Sequence, residues 1–272
     1  MSNIFAGKKA AAEKVEEDFM GGGGALDTDI YLATIKTAYI GKAAASEARN
    51  VTLLLDINGR EVRQQIWVSN RAGEVTYKDK KTGDDKNLPG FNQINSLCML
   101  VCSKEMGQMD VEELTVKLYD FTAGKELPQA VDCFTELHGE KVNVALQRQT
   151  VDKTAKNENT GNYEPTGEVR DQNEIVKFFP EDKLVSISEV AEFVRGLGGN
   201  FDDIVDAGEV GKAIANMPDE AGSYADKWLE RNKGQTYDKS SGKGSSEGKS
   251  FGGGSASGGA PKAAKKTSLF DD

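Results

Sequence analysis

Trp67 and Arg63 are the two residues whose types and spacing best suit binding chemistry. A tryptophan ring can stack on another flat aromatic group, and an arginine guanidinium can hold an anion through a fork of N–H donors. The two residues stand four positions apart in a strand-like run at 60–69, so both side chains point to the same face of a strand. The pair predicts a surface for a ligand that is both aromatic and anionic. The alternative is a Trp67 covered by the N-terminal residues or by a second copy of the chain.

Further aromatic and cationic residues could extend this surface. The aromatic candidates are Tyr39, Tyr77 and Tyr163, and each could equally be a core residue or an ordinary loop residue. The cationic candidates are Lys36, Arg49, Arg71, Lys78, Lys80 and Lys81. The last three stand among aspartates in a turn-rich segment, so a solvated hairpin tip explains them equally well.

Residues that could perform catalysis are few. The chain has three cysteines and one histidine, His138. Cys98, Cys102 and Cys133 could bind zinc together with His138. Cys98 and Cys102, however, are spaced as i and i+4 on an apolar helical segment, which favours buried structural thiols. The sequence contains no G-x-x-x-x-G-K-[ST] loop and no nucleophile signature near His138. We therefore expect no catalytic site, no metal and no cofactor.

The dipeptide Asn58-Gly59 is the strongest local signal for the elements that position Trp67 and Arg63. Asn-Gly between two strand-like runs is typical of a two-residue type I′ hairpin, whose flanking residues face each other. One face of this hairpin must point into a core, and it pairs Ile57 with Arg60, Leu55 with Val62, Leu53 with Gln64 and Val51 with Ile66. The opposite, polar face pairs Asp56 with Glu61, Leu54 with Arg63, Thr52 with Gln65 and Asn50 with Trp67.

The remaining segments predict a mostly β fold with appended helices. Strand-like runs lie at 30–40, 50–58, 60–69, 114–121, 130–134, 141–150 and 173–179, with a second hairpin at 75–86. Residues 91–102 carry apolar side chains at helical spacing, and 152–171 is predicted to be a long polar loop. Five or more short strands with one helix between them are typical of an OB-type barrel. We expect an OB-like five-stranded barrel with an internal helix.

Composition divides the chain into four regions. We expect an N-terminal arm at 1–28, the OB-fold domain at 29–182, a helical extension at 183–233 and a tail at 234–272. The tail is dominated by Gly, Ser, Lys and Ala, which cannot bury enough apolar surface to fold, so we expect it to be disordered. Its last residues are Leu269, Phe270, Asp271 and Asp272. Two apolar side chains beside an acidic terminus suit a shallow pocket rimmed by cations on a partner protein.

Charge is unevenly distributed along the chain. The formal net charge is −10, yet residues 31–90 carry ten Lys and Arg against seven Asp and Glu, a net of +3. Residues 91–182 carry nine against seventeen, a net of −8. A basic region in an acidic protein is compatible with binding a polyanion locally. The absence of a signal peptide and the low cysteine content lead us to expect a cytoplasmic protein.

Several segments in sequence order resemble one family of proteins. They are ALDTDIYLATIKTAYIGK, NVTLLLDINGR, IWVSNRAGEVTYKD, LPGFNQINSLCMLVC, VNVALQRQTVDK, GNY and NEIVKFFPED, all within residues 25–182. Together they resemble the OB-fold single-stranded-DNA-binding proteins of tailed bacteriophages. The tail, a Gly/Ser-rich linker with a short acidic-aromatic tip, resembles the tails of bacterial and phage proteins of the same function. Here the two aspartates follow the phenylalanine, whereas in the bacterial form they precede it.

The resemblance implies a non-enzymatic protein that binds and protects single-stranded DNA, independently of sequence, during viral replication and recombination. It implies a cytoplasmic location in the infected bacterial cell. It also implies that the tail recruits replication, recombination or transcription proteins, and that several copies can coat DNA together. Two alternatives are an OB-like scaffold protein whose main ligand is protein, and a phage nuclease or recombination accessory enzyme.

Overall fold

The computed structural model describes residues 24–120, 123–157, 163–219 and 222–240. The predicted N-terminal arm as far as residue 23, and the tail from residue 241 with its acidic tip, lie outside the described residues.

The described residues are mostly β with several helices, as predicted. The strands are β1 (Asp29–Lys42), β2 (Arg49–Ile57), β3 (Arg60–Trp67), β4 (Thr76–Lys78), β5 (Asp85–Asn87), β6 (Val111–Asp120), β7 (Lys125–Phe134), β8 (Lys141–Lys156), β9 (Tyr163–Pro180) and β10 (Thr236–Asp238). The α-helices are α1 (Pro89–Cys102), α2 (Ile187–Gly196), α3 (Phe201–Asp206), α4 (Val210–Asn216) and α5 (Ser223–Asn232).

The β2–β3 hairpin has the predicted register throughout. Ile57 lies opposite Arg60 at the turn, and Asn50 lies opposite Trp67 at the far end. Asn58 and Gly59 have φ of 54° and 78°, the left-handed values that a type I′ turn requires. The predicted core face is buried, with Leu53 and Leu55 fully inaccessible. The apolar core face is confirmed, and the polar face is exposed on β3 but buried at Asn50 and Thr52 of β2.

Strand β1 joins the parts of the sheet. Its first half pairs with β8, its second half pairs with β2, and Tyr39 lies opposite Cys133 of β7. Strand β9 pairs with β8, and β6 pairs only with β7 among the described residues. Within the same residues no ladder joins β3 to β9, so the sheet is open. The closed five-stranded barrel is therefore not confirmed.

Helix α1 confirms the helix predicted at 91–102 and fills the space below the sheet. It begins at Pro89. Proline is favoured at this position because the first N–H groups of a helix have no acceptor within the helix. Its inner face, which includes Ile94, Leu97 and Cys98, is fully buried in the main core. Helix α1 packs against both β3 and β9, so one helix supports the two unjoined edges.

Helices α2, α3 and α4 are part of the main core, whereas α5 packs in a second, smaller cluster through Ala225 and Trp228. Side chains of α2 and α4, such as Val190 and Val210, belong to the same buried cluster as Leu97 of α1. Ser186 caps α2 in a capping box with Glu189. The region predicted as a helical extension, 183–233, contains α2, α3, α4 and α5. No helix in the described ranges is long and apolar enough to cross a membrane.

The predicted tail boundary at Gly234 is wrong by several residues. The Gly234 N–H donates to the Thr28 carbonyl at 2.8 Å, and the Lys239 N–H donates to the Thr150 carbonyl at 2.8 Å. Strand β10 pairs in parallel with β8 between these two contacts. The end of the predicted arm is likewise ordered, because the side-chain amide of Asn173 makes two hydrogen bonds of 2.8 Å with the backbone of Leu26.

The predicted polar loop at 152–171 is also wrong. Strands β8 and β9 extend through most of it as a long hairpin, with Lys156 paired to Tyr163. Most side chains of this outer ribbon are exposed. The strands therefore continue through ladder pairing, without the apolar alternation that a sequence pattern would detect.

Gly90→Ala is expected to lower the free energy of unfolding by about 1–3 kcal/mol, the usual cost of overpacking. A Cβ at position 90 would lie 2.1 Å from the Trp67 carbonyl oxygen. Urea unfolding would measure the loss. Gly107→Ala is the matched control, since a Cβ there meets nothing within 4 Å. Equal stability of the two variants would contradict the close packing of α1 on β3.

Candidate nucleic-acid interface

An exposed row of side chains follows the outer face of β3. Trp67 has 47% of its surface exposed, and Gln65 and Arg63 are also exposed. Alternate residues of a strand are about 6.6–7 Å apart, so Trp67 and Arg63 are separated by about 13 Å. Their β2 neighbours Asn50 and Thr52 are buried and joined by a hydrogen bond of 3.1 Å. The row therefore offers a stacking surface and a cation, and the buried polar groups of Asn50 and Thr52 beside it are already hydrogen-bonded.

Tyr39 has a different position from the one predicted. Its side chain is buried, with 5% exposed, so its ring face cannot stack on a ligand. Its phenol oxygen instead accepts a hydrogen bond of 3.0 Å from Nη2 of Arg63. Because this contact restricts a long flexible side chain, Tyr39 orients Arg63 on the exposed row.

A groove of about 530 Å³ runs between the unjoined edges of β3 and β9. It is lined by Gly24, Ala25, Arg60, Glu61, Val62, Arg63, Gln64, Gln65, Arg170, Asp171, Gln172 and Asn173. Three arginines therefore face two carboxylates. Arg148 donates to Asp171 at 2.7 Å, and hydrogen bonds from Thr150 and Arg148 lower the pKa of Asp171. Its charge is thus compensated from outside the groove.

The β9 side of this groove is the part that the sequence analysis missed. The sequence pattern places Arg170 in the predicted loop and Asn173 at the start of the predicted strand, and it marks neither of them, nor Gln172 between them, as a binding residue. Arg170 lies opposite Val151 in the ladder. These residues could have been found only by predicting that the β8–β9 hairpin continues beyond residue 150. That continuation depends on pairing between residues far apart in the sequence.

The β4–β5 hairpin carries the second group of predicted residues. Tyr77 has 44% of its surface exposed, and Lys80 and Lys81 are exposed at the turn. Lys78 forms an ion pair of 3.6 Å with Asp85. Lys86 pairs with Asp79 and, chiefly through that hydrogen bond, lowers the pKa of Asp79 to about 2. Much of the basic charge of this tip is therefore balanced locally.

The other predicted residues are dispersed over the surface. Lys36 forms an ion pair of 3.0 Å with Asp56, which raises the pKa of Lys36. Arg49 lines a smaller depression together with Lys42, Glu113 and Asp132. Arg71 is exposed in the turn before β4. Tyr163, with 71% exposed, lies seven residues from Arg170 along the β8–β9 ribbon, roughly 20 Å away.

The cysteines and His138 occupy structural positions. Cys98 and Cys133 are buried, and Nε2 of His138 accepts a hydrogen bond of 3.1 Å from the Ala38 N–H. The thiol of Cys102 lies 3.7 Å from the Glu136 carbonyl oxygen. In the described part of the chain, no group of three His, Cys, Asp or Glu side chains could hold a metal ion.

No protein-family model matches the chain, and no curated protein matches it significantly. The candidate interface is therefore defined by its own geometry.

Slow thiol chemistry is expected in the native protein at pH 8. Burial raises the pKa of Cys98 to about 12 and that of Cys102 to about 11, so little thiolate is present. A disulfide reagent should titrate all three thiols only after unfolding. Added zinc should not change the native rate. Rapid native labelling of Cys98, or its protection by zinc, would contradict a purely structural role.

Proposed function

We propose that this chain binds single-stranded DNA independently of sequence and protects it during viral DNA replication and recombination. The observation that carries the proposal is the half-exposed Trp67 on the same face of β3 as Arg63, beside a groove with three arginines. Bases supply flat rings and phosphates supply anions, so this ligand matches both properties of the row. Stacking tolerates every base, as a sequence-independent protein requires.

The order of elements supports an OB-type fold within the mostly β architecture. A three-stranded meander, a helix and a later hairpin follow one another as β1–β2–β3, α1 and β8–β9, and β1 pairs with both β2 and β8. We propose that these elements form an open OB-type barrel. OB folds bind oligonucleotides on their strand surface between loops, and the row on β3 has that location.

The groove favours one extended strand over a duplex. Its walls are two sheet edges, and its cations stand on both of them, with Arg63 on β3 and Arg170 on β9. Side-chain amides from Gln64, Gln65 and Gln172 add neutral hydrogen-bonding groups. A positively charged groove beside an aromatic side chain is the usual arrangement for single strands.

The proposal extends to partners and location. The tip Leu269 to Asp272 would recruit replication, recombination or transcription proteins, and these residues lie outside the described ones. The protein would act without a cofactor in the cytoplasm of an infected bacterial cell. A second candidate function is that of a protein-binding scaffold, which the net charge of −8 over residues 91–182 favours. Binding of labelled oligo-dT would distinguish the two, because the scaffold would not bind it.

Trp67→Ala is expected to weaken oligo-dT binding by about 1–3 kcal/mol, the contribution of one stacked base. Trp67→Phe should retain most of the affinity, since it keeps a stacking ring. Fluorescence anisotropy would measure both. Leu197→Ala, which removes another exposed apolar side chain (73%) at the end of α2, is the control. An unchanged affinity of Trp67→Ala, with the fold intact, would remove Trp67 from the interface.

Arg63→Ala should make binding to poly-dT less dependent on salt. Each phosphate contact on a single strand contributes a slope of about −0.7 in log affinity against log salt. Removing one contact should reduce the slope by about that amount, and Tyr39→Phe should produce part of the effect. Arg195→Ala, an exposed arginine on α2, should leave the slope unchanged. Salt-independent binding by the unmodified chain would rule out the electrostatic part of the proposal.

A further inference from the structure

The β6–β7 hairpin extends from the sheet beyond its single ladder contact, Tyr39 with Cys133. Its strands pair with each other over their whole length. Two large apolar side chains on β6 are about half exposed, Val111 at 47% and Tyr119 at 49%. A two-stranded ribbon with exposed apolar groups is marginally stable in water by itself, so this surface needs a physical explanation.

The outer edge of β6 is open. Strand β6 pairs with β7 on one side, and on the other side no ladder forms among the described residues. Backbone N–H and C=O groups along an open edge are a template for another strand. Ten residues, Val111–Asp120, are long enough for a stable ladder.

The sequence of β6 is complementary to itself in the antiparallel direction. With Thr115 opposite Thr115 of a second copy, Glu113 lies opposite Lys117, and Val111 lies opposite Tyr119. Each of these pairs occurs twice because the arrangement is symmetric. All five side chains are exposed and share one face of the strand. On the other face, Leu114 then lies opposite Val116.

Other registers lose this match. A shift that centres the ladder on Val116 places Glu113 opposite Tyr119 and Lys117 opposite Thr115. Opposite charges and apolar partners stabilise directly facing pairs, and mismatched ones do not. The apolar residues Val111 and Tyr119 and the charged residues Glu113 and Lys117 are therefore placed symmetrically about Thr115.

We propose that β6 is a dimerisation edge whose partner is a second copy of this chain. The two β6 strands pair antiparallel about a two-fold axis at Thr115. The ribbons form a four-stranded sheet in the order β7, β6, β6 of the partner and β7 of the partner. Such an interface is closed and uses the same patch on both copies, so it removes the open edge from solvent.

Lys117→Glu tests the proposal by placing carboxylates opposite each other in both halves of the ladder. Sedimentation velocity of the full chain without DNA, over a series of concentrations, should show a dimer for the unmodified protein and a monomer for this variant. The double variant Glu113→Lys, Lys117→Glu restores the opposite pairs and should restore the dimer. Lys125→Glu makes the same charge change on β7 and should leave the dimer intact.

Thr115→Cys gives a second measurement that does not depend on charge. Its thiol would face its symmetry mate, so a short thiol-specific crosslinker should join two chains, whereas Lys125→Cys should not be joined. A monomeric unmodified protein at every concentration would overturn the proposal. So would failure of the charge-swapped variant to dimerise when circular dichroism shows it folded, or dimer loss in Lys125→Glu alone.

Discussion

The two-residue turn at Asn58-Gly59 is the constraint on which the core and the candidate interface both depend. Its residues have φ of 54° and 78°, values that glycine adopts freely and asparagine tolerates. The turn sets the register of β2 against β3. A slip of one residue would put Arg63 on the same face as Leu53 and Leu55, so that the arginine would enter the core or the two leucines would be exposed. The same local geometry therefore decides what is buried and what is presented.

The open groove follows from where α1 is packed. Gly90 lets the start of the helix approach the Trp67 carbonyl, where a Cβ would lie 2.1 Å away. On the other side, Nε2 of Gln93 donates to the Ile175 carbonyl of β9 at 2.7 Å. The helix thus contacts both β3 and β9, and its Gln93 side chain provides a hydrogen-bond partner for the backbone of β9. Beyond the helix the edges remain apart, and the arginines of β3 and β9 face each other there.

The sequence predicts those parts of the fold that depend on interactions between residues close together in the chain. The turn, the hairpin register, the buried face and α1 follow from residue types a few positions apart. The outer β8–β9 ribbon does not, because its sequence is polar. Strand β10 does not, because it depends on residues far away in the sequence, such as Thr28 and Thr150. Tyr39 was misjudged for the same reason: its burial depends on neighbouring strands that are remote in sequence. The β9 side of the groove could not be predicted for the same reason.

A line of paired residues crosses the sheet from β3, which carries the candidate interface, to β6, the proposed dimerisation edge. Gln65, Thr52, Tyr39, Cys133 and Glu112 lie opposite one another across five strands, and paired residues share a face of a sheet. A two-fold axis perpendicular to this sheet at β6 would keep that face on the same side in both copies. It would also reverse the direction of each strand. DNA segments bound at β3 of the two copies, under the proposed function, would then run in opposite directions, as two complementary strands do.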